Sequence, residues 1–157
     1  MSDPNMRRAT VDDEAAVTAI TAAAYAPYVA HLGAPPLPVT EPYRPRIERG
    51  EVWLLHVRGA PVGVLVLEHH PDHALIYSVA VVPARQGEGY GRVLLRSAEE
   101  MARAAGVGEV RLYTNARMER NLMLYSAYGY RETGRRPNPH RPGWVLVDMA
   151  KPLAAAV

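Results

Sequence analysis

The chain has 157 residues, the size of one domain, and its 18 basic and 16 acidic side chains leave a net charge of +2. So small an excess excludes the strongly basic surface of a nucleic-acid or membrane binder, and the absence of cysteine excludes disulfides, thiolate metal sites and a thiol nucleophile. Lys151 is the one lysine beside seventeen arginines, which leaves P-loop and Schiff-base chemistry almost without a candidate and, with the alanine-rich composition, marks an expected GC-rich bacterial origin.

From the N-terminus, Arg7 and Arg8 are followed by no apolar export segment, and no run approaches the ~18 apolar residues of a membrane span. A soluble, cytoplasmic protein with a single domain over 1–157 is therefore expected. Thr10-Val11-Asp12-Asp13 has capping-box spacing and opens an alanine-rich helix over Ala15 to Tyr28. Prolines cluster at Pro35 to Pro45 and at Pro137 to Pro142, where neither helix nor central strand should persist. A short helix is predicted around Tyr43 to Arg49, stopped by Gly50.

Three strands follow, Val52 to Val57, Val62 to Leu67 and Leu75 to Val82, joined by turns at Arg58-Gly59-Ala60-Pro61 and Pro71-Asp72. Short turns predict an antiparallel meander, and the middle run is apolar enough to be buried on both faces. After the glycine-rich Gln86 to Gly91 the period changes. Leu94, Ala98, Met101 and Ala105 mark one face of a helix that Gly106 stops. A strand over Glu109 to Asn115, a helix over Arg120 to Tyr128 and strands over Tyr130 to Thr133 and Trp144 to Met149 complete the chain. The order predicts a mixed α/β sandwich with one parallel strand pair in a mostly antiparallel sheet.

The strongest chemical signal runs from Val79 to Leu95, where an apolar strand leaves through Pro83 into alternating glycines and then directly into a helix. Alternating glycines let successive N–H groups converge, and the helix start adds partial positive charge, so the segment suits a phosphate or pyrophosphate. The dinucleotide fingerprint fails, because Arg92 stands where its last glycine belongs, and the P-loop fails for want of Gly-Lys-Ser/Thr. What remains is Q-x-x-G-x-G from Gln86 to Gly91. This resembles the pyrophosphate-binding motif of the GNAT family, the acetyl-CoA-dependent N-acetyltransferases. The alternative is a tight turn that binds nothing, against which the entropy cost of three glycines in five residues weighs.

A second stretch, Tyr113-Thr114-Asn115 followed by Asn121-Leu122-Met123-Leu124-Tyr125 and Gly129-Tyr130, is similar to the family's later signature. The resemblance implies a central, mostly antiparallel sheet of about 6–7 strands with one parallel pair and about four flanking helices. It implies acetyl-CoA as cosubstrate, an amine acceptor of small-molecule or peptide type, and no metal; a homodimer is a family expectation. By the same resemblance, the main chain of Gln86, Gly87, Glu88, Gly89, Tyr90 and Gly91 holds pyrophosphate. Val79, Ala80 and Val81 pair with pantetheine and offer an N–H to the developing oxyanion. Tyr125 is the implied acid toward the leaving thiolate, although a phenol near pKa 10 facing a thiol near 8.5 makes full proton transfer uphill by roughly 2 kcal/mol.

A tyrosine packed in the core is the alternative for Tyr125. Asn121 stands four residues before it, where the commoner pattern has its asparagine seven before, at Met118; one helix side still carries all three and could offer Asn121 to the cofactor arm. Glu68 is the candidate base through water, with a solvated carboxylate as the alternative. The loop from Tyr28 to Tyr43 would border the acceptor, with Tyr25, Tyr28 and Tyr43 as lining or as packing. His69 and His73 suggest a metal by spacing, but Pro71 breaks the helix that would align them and a hairpin turn reads better. The arginines from Arg131 to Arg141 could meet RNA, the cofactor's 3′-phosphate or an acidic acceptor, and a solvated hairpin loop reads better. A non-catalytic acyl-CoA-binding or regulatory module on the same fold is the competing function.

Overall fold

The computed structural model describes residues 4–154. The expected domain over 1–157 extends to residues 1–3 and 155–157, which lie outside the described residues. Seven strands form one sheet: β1 (Asn5–Arg8), β2 (Val52–Val57), β3 (Ala60–His69), β4 (Ala74–Val81), β5 (Glu109–Asn115), β6 (Arg131–Pro137) and β7 (Val145–Pro152). Their order is β1-β2-β3-β4-β5-β7-β6, antiparallel throughout except for the pair β4–β5. The mixed sheet with a single parallel pair is therefore as the sequence predicts.

Five α-helices accompany it among the described residues: α1 (Glu14–Leu32), α2 (Leu37–Thr40), α3 (Tyr43–Glu48), α4 (Tyr90–Ala104) and α5 (Glu119–Ala127). The capping box forms, with Asp13 accepting from the Thr10 N–H at 2.7 Å. α1 runs four residues beyond the predicted Tyr28 and carries Pro27 inside it. Together with the turn before it, it makes a 22-residue stretch, Val11–Leu32, with an 18-residue window of mean hydropathy 1.2, long and apolar enough by length and composition alone to cross a membrane. Thr18, Thr21, Pro27 and His31 interrupt it, so it is not an uninterrupted apolar run. Alanines supply the hydropathy, and Val17, Ile20, Thr21, Tyr25 and Leu32 bury one side of the helix. The proline-rich stretch is less irregular than predicted, since α2 makes one turn within it. Pro45 is tolerated in the first turn of α3, where its missing N–H would have no helical partner.

Each face of the sheet has its own core. Leu65 and Leu67 of β3 pack with Leu94, Leu95 and Ala98 of α4, while Val64 and Val66 pack with Val17 and Ile20 of α1. Burial of β3 on both faces is thus observed. The sheet-facing side of α4 differs from the predicted one: Leu94, Leu95, Ala98, Glu99 and Ala102 are buried, whereas Met101 is half-buried and Ala105 exposed. Glu99 is tolerated there because Lys151 donates to it at 3.1 Å. β6 and β7 run past their predicted ends, and β7 lies between β5 and β6. β6 is an exposed edge with no apolar alternation to reveal its length, and its register comes from pairing with β7.

Two irregularities shape the site. The β3–β4 register pairs Val66 with Ser78 and Leu67 with Ile76, so Tyr77 is an extra residue that kinks β4. The parallel pairing of β4 with β5 then covers only Ala74, Leu75 and Ile76 against Val110, Arg111 and Leu112. Beyond that point the two strands part, and one edge of β4 is left open.

Candidate active site

The open edge belongs to specific main-chain groups. The Val82 N–H donates to the Val62 carbonyl at 2.9 Å, which fixes the alternation along the strand. Ala80 therefore turns its N–H and C=O toward β3, and its carbonyl would lie 3.2 Å from a Cβ built on Gly63. Val79 and Val81 turn theirs to the open side. Of the three residues expected along a pantetheine arm, Val79 has both main-chain groups free to pair and Val81 its N–H, the Val81 carbonyl being taken by Gln86 Nε2, while Ala80 has neither.

The strand leaves through a single 3-10 turn, Pro83–Arg85, into Gln86 and the glycines. Gly87 and Gly89 have φ of +84° and +88°, the left-handed region that side chains with a Cβ rarely occupy. α4 begins at Tyr90. The N–H groups of Gly87 through Arg92 find no acceptor among the described residues, so turn and helix start present one run of unpaired donors with the helix dipole behind them. The side chains of this motif face elsewhere. Gln86 Nε2 donates back to the Val81 carbonyl at 3.0 Å, and Glu88 accepts from Arg85 at 2.9 Å, while Arg85 also reaches the Tyr90 hydroxyl at 3.0 Å. A Cβ on Gly91 would make an ordinary 3.8 Å contact with Leu124, so packing alone does not demand glycine there.

Tyr125 lies on α5, buried, with its ring edge-on to Tyr130 at 6.2 Å. Burial pushes its hydroxyl pKa well above the ordinary value near 10, and Tyr25 and Tyr130 add to the shift. Asn121, one turn earlier, is half-buried, and its side-chain amide has no protein partner among the described residues. Met118 caps the helix from a buried position, with the Thr114 hydroxyl 3.9 Å from its sulfur.

Glu68 sits in a different setting from the one expected of a base. Arg46 donates to it at 2.8 Å and its other oxygen is 2.9 Å from His70 Nε2. Burial alone would raise its carboxyl, but the bonds from Arg46 and His70 outweigh that and hold it below the ordinary carboxylate value. Arg46 is the hub: it also donates to Glu41 at 2.7 Å and Glu51 at 3.0 Å, and its guanidinium lies 3.8 Å over the Tyr77 ring. Glu41 in turn accepts from the Tyr77 hydroxyl at 2.9 Å. The kink at Tyr77 is thus braced by an ion network from α3 and its flanks.

Tyr77 is one wall of a cleft of ≈ 190 Å3 on the α1 side of the sheet. Tyr25, Leu37, Tyr113, Asn115 and Trp144 contribute other walls. None of Gln86 to Gly91 lines it, so cradle and cleft are separate, and Tyr25 of the cleft is close enough to Tyr125 to affect its ionisation. Of the tyrosines weighed as acceptor lining, Tyr25 lines this cleft. Tyr43 is a core residue whose hydroxyl donates to the Pro38 carbonyl, and Tyr28 packs at the edge of the same core. Sequence reasoning missed Glu41, Arg46 and Tyr77. Asn115 entered the sequence reading only within the stretch similar to the family's later signature; in the structure it ends the strand that parts from β4, a position where a crevice opens. His69 to His73 form a hairpin turn with the His70 and His73 rings stacked at 4.6 Å, and no group of three metal-ligating side chains occurs among the described residues.

A family model described as an acetyltransferase (GNAT) domain matches residues 48–132. Among solved structures, the ribosomal-protein-S18-alanine N-acetyltransferase of Escherichia coli aligns at 22% identity with a TM-score of 0.76, covering 99% of this chain and 97% of its own. The PaiA N-acetyltransferase of Thermoplasma acidophilum, in complex with coenzyme A, aligns at 15% identity and TM-score 0.79, covering 96% and 99%. N-acetylglutamate synthase of Neisseria gonorrhoeae, complexed with coenzyme A and N-acetyl-glutamate, aligns at 18% and 0.73 over 98% of this chain and 36% of that one. At these identities the likeness is one of fold.

Proposed function

Since the chain belongs to the GNAT acetyltransferase family, we propose that it transfers the acetyl group of acetyl-CoA to a primary amine by direct attack in a ternary complex. The observation that carries this is the run of unpaired N–H groups from Gly87 to Arg92, beside the open edge of β4. The turn binds the pyrophosphate through the main chain, and Val79 and Val81 pair with the pantetheine amides. Their direction brings the thioester to the point where β4 and β5 part. With no cysteine in the chain, an acyl-cysteine intermediate is excluded and the amine attacks the carbonyl carbon itself.

In that step a C–N bond forms, the C–S bond breaks, the amine loses a proton and the thiolate gains one. An N–H on the open edge of β4 stabilises the carbonyl oxygen as it becomes anionic. Tyr125 serves the thiolate. Its raised pKa keeps the hydroxyl protonated and available to donate a hydrogen bond to sulfur, but makes transfer of the proton itself more uphill. The hydrogen bond is therefore the main contribution, and the proton reaches sulfur only after C–S cleavage. Glu68, held by Arg46 and His70, is suited to bracing Tyr77, so the amine gives its proton to water. Calorimetry with acetyl-CoA and thiol release with an amine panel test the reading. Micromolar binding with amine-dependent release supports it; binding with no transfer to any amine points to a non-catalytic acyl-CoA module instead.

A further inference from the structure

The cleft has a definite chemical character, and that character selects among amines. Much of its wall is aromatic and aliphatic, from Tyr25, Leu37, Tyr77 and Trp144, and Arg136 and His140 are among its polar lining residues. No aspartate or glutamate is among its lining residues. Glu41 lies behind Tyr77 and is already engaged by the Tyr77 hydroxyl and Arg46. The rings are engaged as well: Arg46 stands over Tyr77, Arg136 over Tyr113 at 5.1 Å and Arg141 over Trp144 at 5.9 Å. A polycation entering here would meet aromatic faces shared with guanidinium groups and no carboxylate to replace its water.

What the cleft and its border do hold are donors without acceptors. Asn115 is 5% exposed and lines the cleft. Its Oδ1 accepts from the Arg117 N–H at 2.8 Å, and because that partner is a donor, the orientation of the amide is fixed. Its Nδ2 is then buried with no hydrogen-bond partner. Arg141, its guanidinium 5.9 Å from the centre of the Trp144 ring and donating to the Pro35 carbonyl at 3.0 Å, likewise has a buried Nε without a partner. Both groups call for an oxygen, and a buried donor left unpaired is costly. At ≈ 190 Å3 the cleft is smaller than the roughly 300–1,000 Å3 of drug-sized ligand sites, which suits one amino-acid residue.

Resting on the acetyltransferase reading, we propose that the acceptor is the α-amino group of an apolar amino-acid residue, its side chain among the cleft aromatics and its adjacent carbonyl or carboxylate oxygen bound by Asn115 Nδ2. Such a group occurs in a free amino acid and at a peptide N-terminus, and the shared chemistry is an amine next to C=O on an apolar body. Polyamines and aminoglycosides fall outside it. Asn115 is the specificity-determining residue, since a site that hydrogen-bonds a substrate group rejects the analogue lacking it.

The test is acetyl-CoA-dependent thiol release with L-phenylalanine, L-phenylalaninamide, L-leucinamide, phenethylamine and spermidine. Turnover of the amino-acid derivatives is expected, with kcat/KM for phenylalaninamide about tenfold above phenethylamine and spermidine below both. Preference for the free acid identifies an amino-acid acceptor, preference for the amides a peptide N-terminus, and either supports the proposal. Asn115→Leu is expected to bring the ratio of phenylalaninamide to phenethylamine close to one, with acetyl-CoA binding on the same protein reporting that it is folded. Should that variant not fold, the substrate pair on the unaltered chain decides alone. Equal use of phenethylamine, preference for spermidine, or acetyl-CoA binding without turnover of any amino-acid derivative overturns this proposal and leaves the family reading intact. Absence of any heat with acetyl-CoA overturns the acetyltransferase reading and this proposal with it.

Discussion

The glycine turn and the cleft do their work with opposite parts of the chain. From Gly87 to Arg92 the working groups are main-chain N–H donors, contiguous in sequence, while the side chains of Gln86, Glu88 and Arg85 are tied up locally. In the cleft the working groups are side chains from α1, the loop around α2, β4, β5 and the segment before β7, more than a hundred residues apart. A ligand common to a whole family can be held by backbone, which constrains only where glycine must stand. A ligand particular to one protein has to be met by side chains, and those can change while the fold stays.

Replacing Arg46 breaks the side-chain half most severely. Arg46→Leu leaves Glu41, Glu51 and Glu68 crowded without their shared cation, in a setting where the Arg46 side chain is only 10% exposed. Removal of one partner from such a group costs about 3–5 kcal/mol, to be read from chemical denaturation. Because Arg46 also braces Tyr77 and Glu41, acceptor KM should rise at conditions where the variant is folded, with acetyl-CoA affinity unmoved. A loss of acetyl-CoA affinity equal to the rise in KM would mean that the two regions are not separable.

Tyr125 belongs to neither set of residues, and its change should appear in kcat. Tyr125→Phe removes a hydrogen bond to a developing thiolate, worth about 2 kcal/mol or roughly 30-fold in kcat, with both binding steps largely preserved. The pH profile sharpens this. A pKa raised above 10 means the hydroxyl keeps its proton at every pH below that value, so ionisation of Tyr125 should produce no alkaline loss of kcat below pH 10. A loss centred near pH 9 that vanishes in Tyr125→Phe would contradict the assigned environment.

The main-chain half is broken by shape alone. Gly89→Val puts a β-branched residue at φ +88°, where the conformation costs about 1–2 kcal/mol and nothing lies within 4 Å of the new Cβ to blame instead. Acetyl-CoA should bind roughly tenfold more weakly by calorimetry, with the acceptor profile unchanged. An unaltered Kd would show that the turn is not the cofactor's seat.

How much of this was legible in the chain follows the same division. The strands from Val52 to Val81 were read from alternation and turns, and the cradle from glycines that only a left-handed backbone requires. The parting of β4 and β5 followed only from the resemblance, since the extra residue Tyr77 looks like any other strand residue until its register is known. Glu41 and Arg46 were silent because a charged side chain in sequence does not declare that it is buried, nor with whom. Lys151 was similar: its partner Glu99 sits on the buried side of α4, where the apolar pattern alone predicted Met101 instead. Glu68 was recognised as a carboxylate near the cleft, but whether it takes protons or braces its neighbours depends on Arg46, 22 residues before it.

The smallest expected effect comes from the residue that the motif seems to advertise. Glu88 stands between the two left-handed glycines, yet its carboxylate only meets Arg85 on the surface, with the two side chains 45% and 32% exposed. An exposed pair of this kind contributes about 0.2–1 kcal/mol at most, and an anionic side chain beside a bound pyrophosphate is mildly unfavourable. Glu88→Ala removes both effects while leaving every N–H from Gly87 to Arg92 in place. Acetyl-CoA affinity should therefore change by less than about threefold, toward tighter binding at low salt, where the repulsion is least screened. A large loss of affinity would mean that the carboxylate, through Arg85, holds the shape of the turn, and the cradle would then depend on a side chain after all.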